Sequence, residues 1–201
     1  MPKTDVIDHY ERLIDEGNDP VEDPEPLRAY MDKWDGKTFL DALDLSKDKT
    51  VLEIGVGTGR LAVRTAPLCR IFHGIDLSSK TILRAMVNLM DDPEVKFSLF
   101  VGDFLEHEFT GSYDVIYSSL TFMHIEDKQR AIDKAALLNR NGRFVLSIDK
   151  NPSDILDFGT RKLRIYPDTP EYIRACIDRA GLAFAGQYET EFAYIITAVK
   201  K

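Results

Sequence analysis

Val51-Leu52-Glu53-Ile54-Gly55-Val56-Gly57-Thr58-Gly59-Arg60-Leu61-Ala62 decides the fold of this chain. A β-rich apolar run enters a loop with glycine at every second position, and a helical pattern opens behind it. Glycine permits positive φ and lets the backbone approach a ligand closely. A strand, a glycine turn and a helix N-terminus together make a nucleotide-binding corner. The next apolar run, Phe72-His73-Gly74-Ile75-Asp76-Leu77-Ser78, ends in a carboxylate. Asp76 is placed there to accept hydrogen bonds from a ribose diol. The two features imply a nucleoside-containing ligand.

Working outward, apolar runs alternate with helical patterns from Thr50 onward. Strands are expected at about 50–54, 71–75, 96–100, 114–118 and 143–149, and helices at about 59–67, 78–89, 127–138 and 169–180. Asn141-Gly142 reads as a turn before the fifth strand. This alternation predicts an α/β fold, a doubly wound and mostly parallel sheet with helices on both faces. Ala183 to Thr190 and Phe192 to Val199 leave no room for a helix between them, so they are expected as an antiparallel pair at the sheet edge.

Two helical stretches precede the first strand. Val6, Ile7, Tyr10, Leu13 and Ile14 lie at helix spacing, a loop follows with Pro20, Pro24 and Pro26, and Leu27 to Leu45 resumes a helical pattern. The expected division is an N-terminal helical arm over 1–45 and a main domain over 46–201. Tyr30, Met31 and Trp34 form either the face of a lid or packing onto the sheet. Removal of the arm is expected to leave a folded core.

The glycines alone leave the chemistry open. A dinucleotide fingerprint, G-x-G-x-x-G/A, fails from Gly55 because Arg60 stands at the third small position, but passes from Gly57 as Gly57, Gly59 and Ala62. An NAD(P)-dependent oxidoreductase therefore remains possible at this point. Glu53 adds information, because a charge at the end of an apolar strand is costly unless it contacts a ligand.

Glu53-x-Gly55-x-Gly57-x-Gly59 resembles the first motif of the class I (Rossmann-like) S-adenosylmethionine-dependent methyltransferases of small-molecule type. Asp76 matches that family's acidic residue after the second strand. Val101-Gly102-Asp103-Phe104 is similar to its adenine-contacting motif, Tyr113 to Leu120 to its fourth-strand motif, and Asn141 to Ser147 to its entry into the fifth strand. The ordered set covers about residues 45–201. The resemblance implies a seven-stranded sheet of order 3-2-1-4-5-7-6 with strand 7 antiparallel, and S-adenosyl-L-methionine as cofactor. By the same resemblance Gly55, Gly57 and Gly59 lie against the methionine and ribose portions, Asp76 meets the ribose, and Leu77 beside it is a further cofactor contact. Gly102, Asp103 and Phe104 meet the adenine, while Ser118, Ser119 and Leu120 face the reacting end. A catalytically idle protein that only binds the cofactor stays open beside the enzyme.

Other chemistries are disfavoured. A net charge of −8 and a sequence pI of about 5.1 speak against nucleic acid as partner, so the expected partner is a small-molecule methyl acceptor. No apolar run approaches membrane-spanning length, and Cys69 and Cys176 have no paired spacing, so the protein is expected in the cytoplasm. His9, His73, His107 and His124 show no ligand spacing, and no metal is expected. There is no G-x-S-x-G and no Tyr-x-x-x-Lys, and Met31 occupies the place where a P-loop ending in Gly36-Lys37-Thr38 needs glycine. His124, just past the fourth strand, reads as a base for a hydroxyl or amine acceptor or as a residue that fixes its loop. Phe158, Arg161, Arg164 and Tyr166 follow the fifth strand, where this family builds acceptor selectivity. Oligomeric state is left open.

Overall fold

The computed structural model describes residues 3–159 and 161–201. In chain order it forms α1 (Lys3–Asp15), α2 (Glu25–Asp35), α3 (Lys37–Leu43), β1 (Thr50–Ile54), α4 (Ala62–Thr65), β2 (Ile71–Asp76), α5 (Ser79–Met90) and β3 (Phe97–Val101). Then come β4 (Tyr113–Ser119), α6 (Lys128–Asp133), β5 (Leu138–Asp149), β6 (Ile155–Asp157), β7 (Lys162–Arg164), α7 (Pro170–Arg179), β8 (Leu182–Glu189) and β9 (Ala193–Lys200). β1 and β4 are buried along almost their whole length because helices cover the sheet on both faces.

The sheet runs β3-β2-β1-β4-β5-β9-β8. Counted among this sheet's own strands, that is the expected order 3-2-1-4-5-7-6. β1 pairs in parallel with both β2 and β4, while β9 lies antiparallel to β5 and β8. From β1 the strand order builds outward in both directions, which opens a crevice at the carboxyl ends of β1 and β4.

Each sheet face carries its own core. Phe104, Phe122, Ile132, Phe144, Ile173 and Ile177 fill one. Phe39, Leu43, Leu61, Phe72, Ile82 and Leu89 fill the other. Phe39 and Leu43 come from α3 and are fully buried, so a cut at residue 45 runs through one packed face. Removing the first 45 residues would take Phe39, Ala42 and Leu43 out of that core. Tyr30 and Trp34 of α2 pack edge-on and tilted against Phe192 at the β9 end.

Two local features differ from the sequence reading. β5 begins at Leu138 rather than 143, because Asn141 takes φ 62° inside the strand and the pairing with β4 slips between Tyr113 and Val115. The Asn141-Gly142 signal is thus a bulge, not a turn between elements. The hairpin β6–β7, paired from Ile155↔Arg164 to Asp157↔Lys162, went unpredicted, since strands of three residues carry too little alternation to read.

Candidate active site

The crevice is a cleft of two joined compartments, of about 300 and 170 Å³, with Tyr10, Gly55 and Thr121 in the wall of both. Together they fall within the range of small-molecule sites, about 300–1,000 Å³. The larger compartment holds Asp76, Leu77, Gly102, Asp103 and Phe104 on one side and His124, Ile125, Arg164 and Tyr166 on another. The smaller holds Glu53, Gly57, Thr58, Arg60, Ser119 and Leu120. Helix α1 roofs both through Val6, Ile7, Tyr10, Leu13 and Ile14, the stripe that its periodicity had marked as apolar.

The floor is held by backbone. Gly55 has φ 76°, and a Cβ there would lie 2.0 Å from Thr121 Oγ1, so only glycine lets the first loop and the segment after β4 meet. Asp76 is half-buried rather than at an open strand end. Its carboxylate accepts the Gly57 N–H at 2.9 Å and the Ser78 N–H at 3.0 Å. Burial pushes this carboxyl up, against the pull of those amide bonds. The Thr81 hydroxyl and the Leu77 N–H add to that pull. Asp103 accepts the Leu105 N–H at 2.9 Å while lining the larger compartment, so it caps a turn and faces the cleft at once. Phe104 does both as well, buried in the core with its edge on the cleft.

Glu53 is buried at the floor of the smaller compartment. Burial pushes its carboxyl up to about 8, although the Tyr117 hydroxyl donates to it at 2.8 Å and opposes the shift. Ser119 donates its hydroxyl to Asp35, which also takes a two-pronged bond from Arg60. Those bonds fasten the end of β4 to the N-terminal helices. Ser118 lies outside both compartments, its hydroxyl donated to the Ile54 carbonyl at 2.9 Å. Gly59 also lies outside them and turns the chain into α4 close to Ala85 of α5. Leu120 lines the smaller compartment with φ 55°, an uncommon state for leucine.

The cover is held by side chains. Tyr10 Oη lies 2.8 Å from His124 Nε2. Burial pushes His124 down to about 4 and Tyr10 up, so both are neutral at pH 7. His124 Nδ1 is buried with no hydrogen-bond partner among the described residues. His9 stacks on Phe158, and Arg161 grips Glu16 with two hydrogen bonds of 3.0 and 2.9 Å, joining α1 to the β6–β7 hairpin. Beneath, Lys128 donates to the carbonyls of Phe122 and Tyr166 and meets Asp168 at 3.1 Å, a buried pair that fixes the loops carrying His124 and Tyr166.

Of the two readings of Tyr30, Met31 and Trp34, the structure bears out packing, since Tyr30 and Trp34 dock on Phe192. Tyr30, Met31 and Trp34 line neither compartment, whereas Tyr10 lines both. Lys128 and Asp168 were missed, because no local pattern joins residues so far apart. Phe158 and Arg161 belong to the cover's fastening, and Arg164 and Tyr166 reach the cleft itself. Among the described residues no group of three His, Cys, Asp or Glu side chains could hold a metal, and no helix is long and apolar enough to cross a membrane.

Residues 51–142 match a family model described as a methyltransferase domain. Over 100 residues the chain is 37% identical to an uncharacterized methyltransferase of Bacillus thuringiensis (strain Al Hakam) and 36% identical to one of Bacillus cytotoxicus. Each match covers 48% of this chain and 45% of the relative, so the chain spans about half the length of the curated relatives it matches. Among solved structures, magnesium protoporphyrin IX methyltransferase from Synechocystis PCC 6803 with bound SAH aligns with a TM-score of 0.78 at 19% identity, covering 99% of this chain and 100% of that one. A SAM-dependent methyltransferase from Aquifex aeolicus aligns with a TM-score of 0.71 at 14% identity, over 92% and 100%. At these identities the likeness is one of fold. The strand order is that of the class I methyltransferase fold, and the stretch from β1 to the start of β5 is similar to a methyltransferase domain.

Proposed function

We propose that the protein binds S-adenosyl-L-methionine along the two compartments and transfers its methyl group to a small molecule that enters beside Tyr10 and His124. The observation that carries this reading is the convergence of Asp76 and Asp103, at the ends of neighbouring strands, on one compartment beside the glycine loop. The residues present fit the cofactor. Asp76 takes the ribose hydroxyls, and Leu77, Gly102, Asp103 and Phe104 take the adenine. Glu53, Gly55, Gly57 and the unpartnered buried hydroxyl of Thr58 line the end left for the amino-acid portion. Ser119 and Leu120 close that end, and Ser118 and Gly59 support the loops from behind. Two buried free thiols, Cys69 and Cys176, fit a reducing cytoplasm.

The cofactor supplies a methyl group on a good leaving group, so no protein residue has to activate it. The protein's part is alignment and the exclusion of water, which the α1 roof provides. Tyr10 stands where the two compartments meet, at the place left for the reacting atoms. Its oxygen can accept the acceptor's proton while its own proton passes to neutral His124 Nε2. Thermal shift or calorimetry with S-adenosylmethionine, S-adenosylhomocysteine, NAD and NADP tests the cofactor. Response to the adenosyl ligands over both dinucleotides is expected, and a response to NAD alone would overturn the reading. With an acceptor found by labelled-methyl screening, Tyr10→Phe is expected to lower kcat about 10–100-fold. Cofactor affinity should stay within about threefold, since no ribose or adenine contact is lost.

A further inference from the structure

Helix α5 carries an apolar stripe that nothing among the described residues covers. Leu83, Met86, Val87 and Met90 recur at the spacing that puts side chains on one helix face, and each is 40–65% exposed. The neighbouring face, with Ile82, Ala85 and Leu89, already lies in the core. A helix apolar on both faces is expected when both are buried. The patch continues onto the open edge of the sheet, where β3 pairs only with β2. Val101 lies on the same side of β3 as Phe97 and Leu99, which pack with α5, and it too is exposed. Contiguous exposed apolar surface of this kind marks an interaction site.

The charges around the stripe select its occupant. Lys80 and Arg84 flank the N-terminal half and keep two-fifths of their side chains exposed despite meeting Asp15 and Asp19. Asp91, Asp92 and Glu94 follow the C-terminal end, all exposed, and no basic side chain among the described residues pairs with them. Acids at a helix C-terminus oppose its dipole, whereas beside a helix N-terminus they complement it. An antiparallel second α5 supplies that N-terminus together with Lys80. A two-fold axis between Met86 and Val87 sets Leu83 of each copy against Met90 of the other, and brings each basic half to the other's acidic end. The same three acids repel an anionic lipid surface. We infer that α5, with the adjoining β3 edge, is the docking face for a second copy of this chain.

Sedimentation velocity of the full chain from about 1 to 100 µM reads this directly. The wild-type protein is expected to dimerise within that range. Val87→Glu places two like charges at the axis and should raise the dissociation constant by about 100-fold. Met90→Lys should weaken the dimer through the matching contact with Leu83. Both side chains are exposed, so the melting curve and the cofactor thermal shift of each variant should match the wild type and show that the fold is intact. A wild-type monomer throughout the range overturns the inference. So does a dimer that neither substitution weakens, and so does a monomer that instead co-sediments with neutral lipid vesicles.

Discussion

The floor and the cover of the cleft are fastened by different kinds of bond. At the floor, Asp76 holds the amides of Gly57 and Ser78, Asp103 holds that of Leu105, and Gly55 packs its bare α-carbon on Thr121. At the cover, α1 meets the rest through Tyr10 on His124, His9 on Phe158 and Arg161 on Glu16. Bonds from a strand-end carboxylate to the amides of its own adjoining loop fix the local backbone. Side-chain bonds between elements break one at a time, so the cover is the part suited to opening for cofactor and acceptor.

The contrast breaks first at the glycines. Gly55→Ala puts a methyl group within 2.0 Å of Thr121 at φ 76°, so it is expected to cost roughly 2–5 kcal/mol of stability from overpacking and strain. Gly57→Ala, at φ 55° with nothing within 4 Å, should cost only about 1–2 kcal/mol, the backbone strain alone. Equal losses in denaturant titration would show that Gly55 is kept for loop conformation and not for the contact with Thr121. Asp76→Ala comes next, at about 1.5–3 kcal/mol of cofactor binding by calorimetry. It also leaves two amides unpaired, so some loss of stability is expected with it. Unchanged affinity would free Asp76 from the ribose.

How much of this was legible follows from the same contrast. The floor is local: each strand end carries its own acid or glycine, and a short motif announces it. The sheet order is what the family resemblance carried by those motifs implies. The cover is not local. Tyr10 and His124 are 114 positions apart, and Glu16 and Arg161 are 145 apart. The stripe Val6, Ile7, Tyr10 showed that α1 buries a face but not which face of the protein receives it. For that reason Tyr30, Met31 and Trp34, which have the same helical spacing, were open to reading as lid or as packing, and Tyr30 and Trp34 dock on Phe192.

The two parts also titrate in opposite directions. Burial lowers His124 to about 4, so the unfolded chain binds the proton more tightly. The stability it affects is complete above pH 6.5 and is lost as the pH falls from there toward 4. Glu53 is raised to about 8, so its stability is complete below pH 4.5 and is lost as the pH rises through 8. Each is expected to contribute about 1–3 kcal/mol across its window. Melting temperatures over pH 4–9 should fall at both ends in the wild type. His124→Gln should flatten the acid side and Glu53→Gln the alkaline side. A variant that leaves its own side unchanged would show that the group is not carried neutral in the fold.

Arg161→Ala should give the smallest effect. The pair with Glu16 is bidentate and joins the hairpin to α1, but Glu16 is largely exposed and water competes for its carboxylate. Exposed pairs of this kind contribute little and are screened by salt. Cofactor affinity is therefore expected to change by about threefold or less. The change should appear in the dissociation rate, because a looser cover releases the ligand sooner without altering the floor that recognises it. It should shrink further as salt is raised. A loss as large as that of Asp76→Ala, or one insensitive to salt, would mean that the hairpin acts on the floor. The division between a backbone-held base and a side-chain-held lid would then fail at the point where the two are joined.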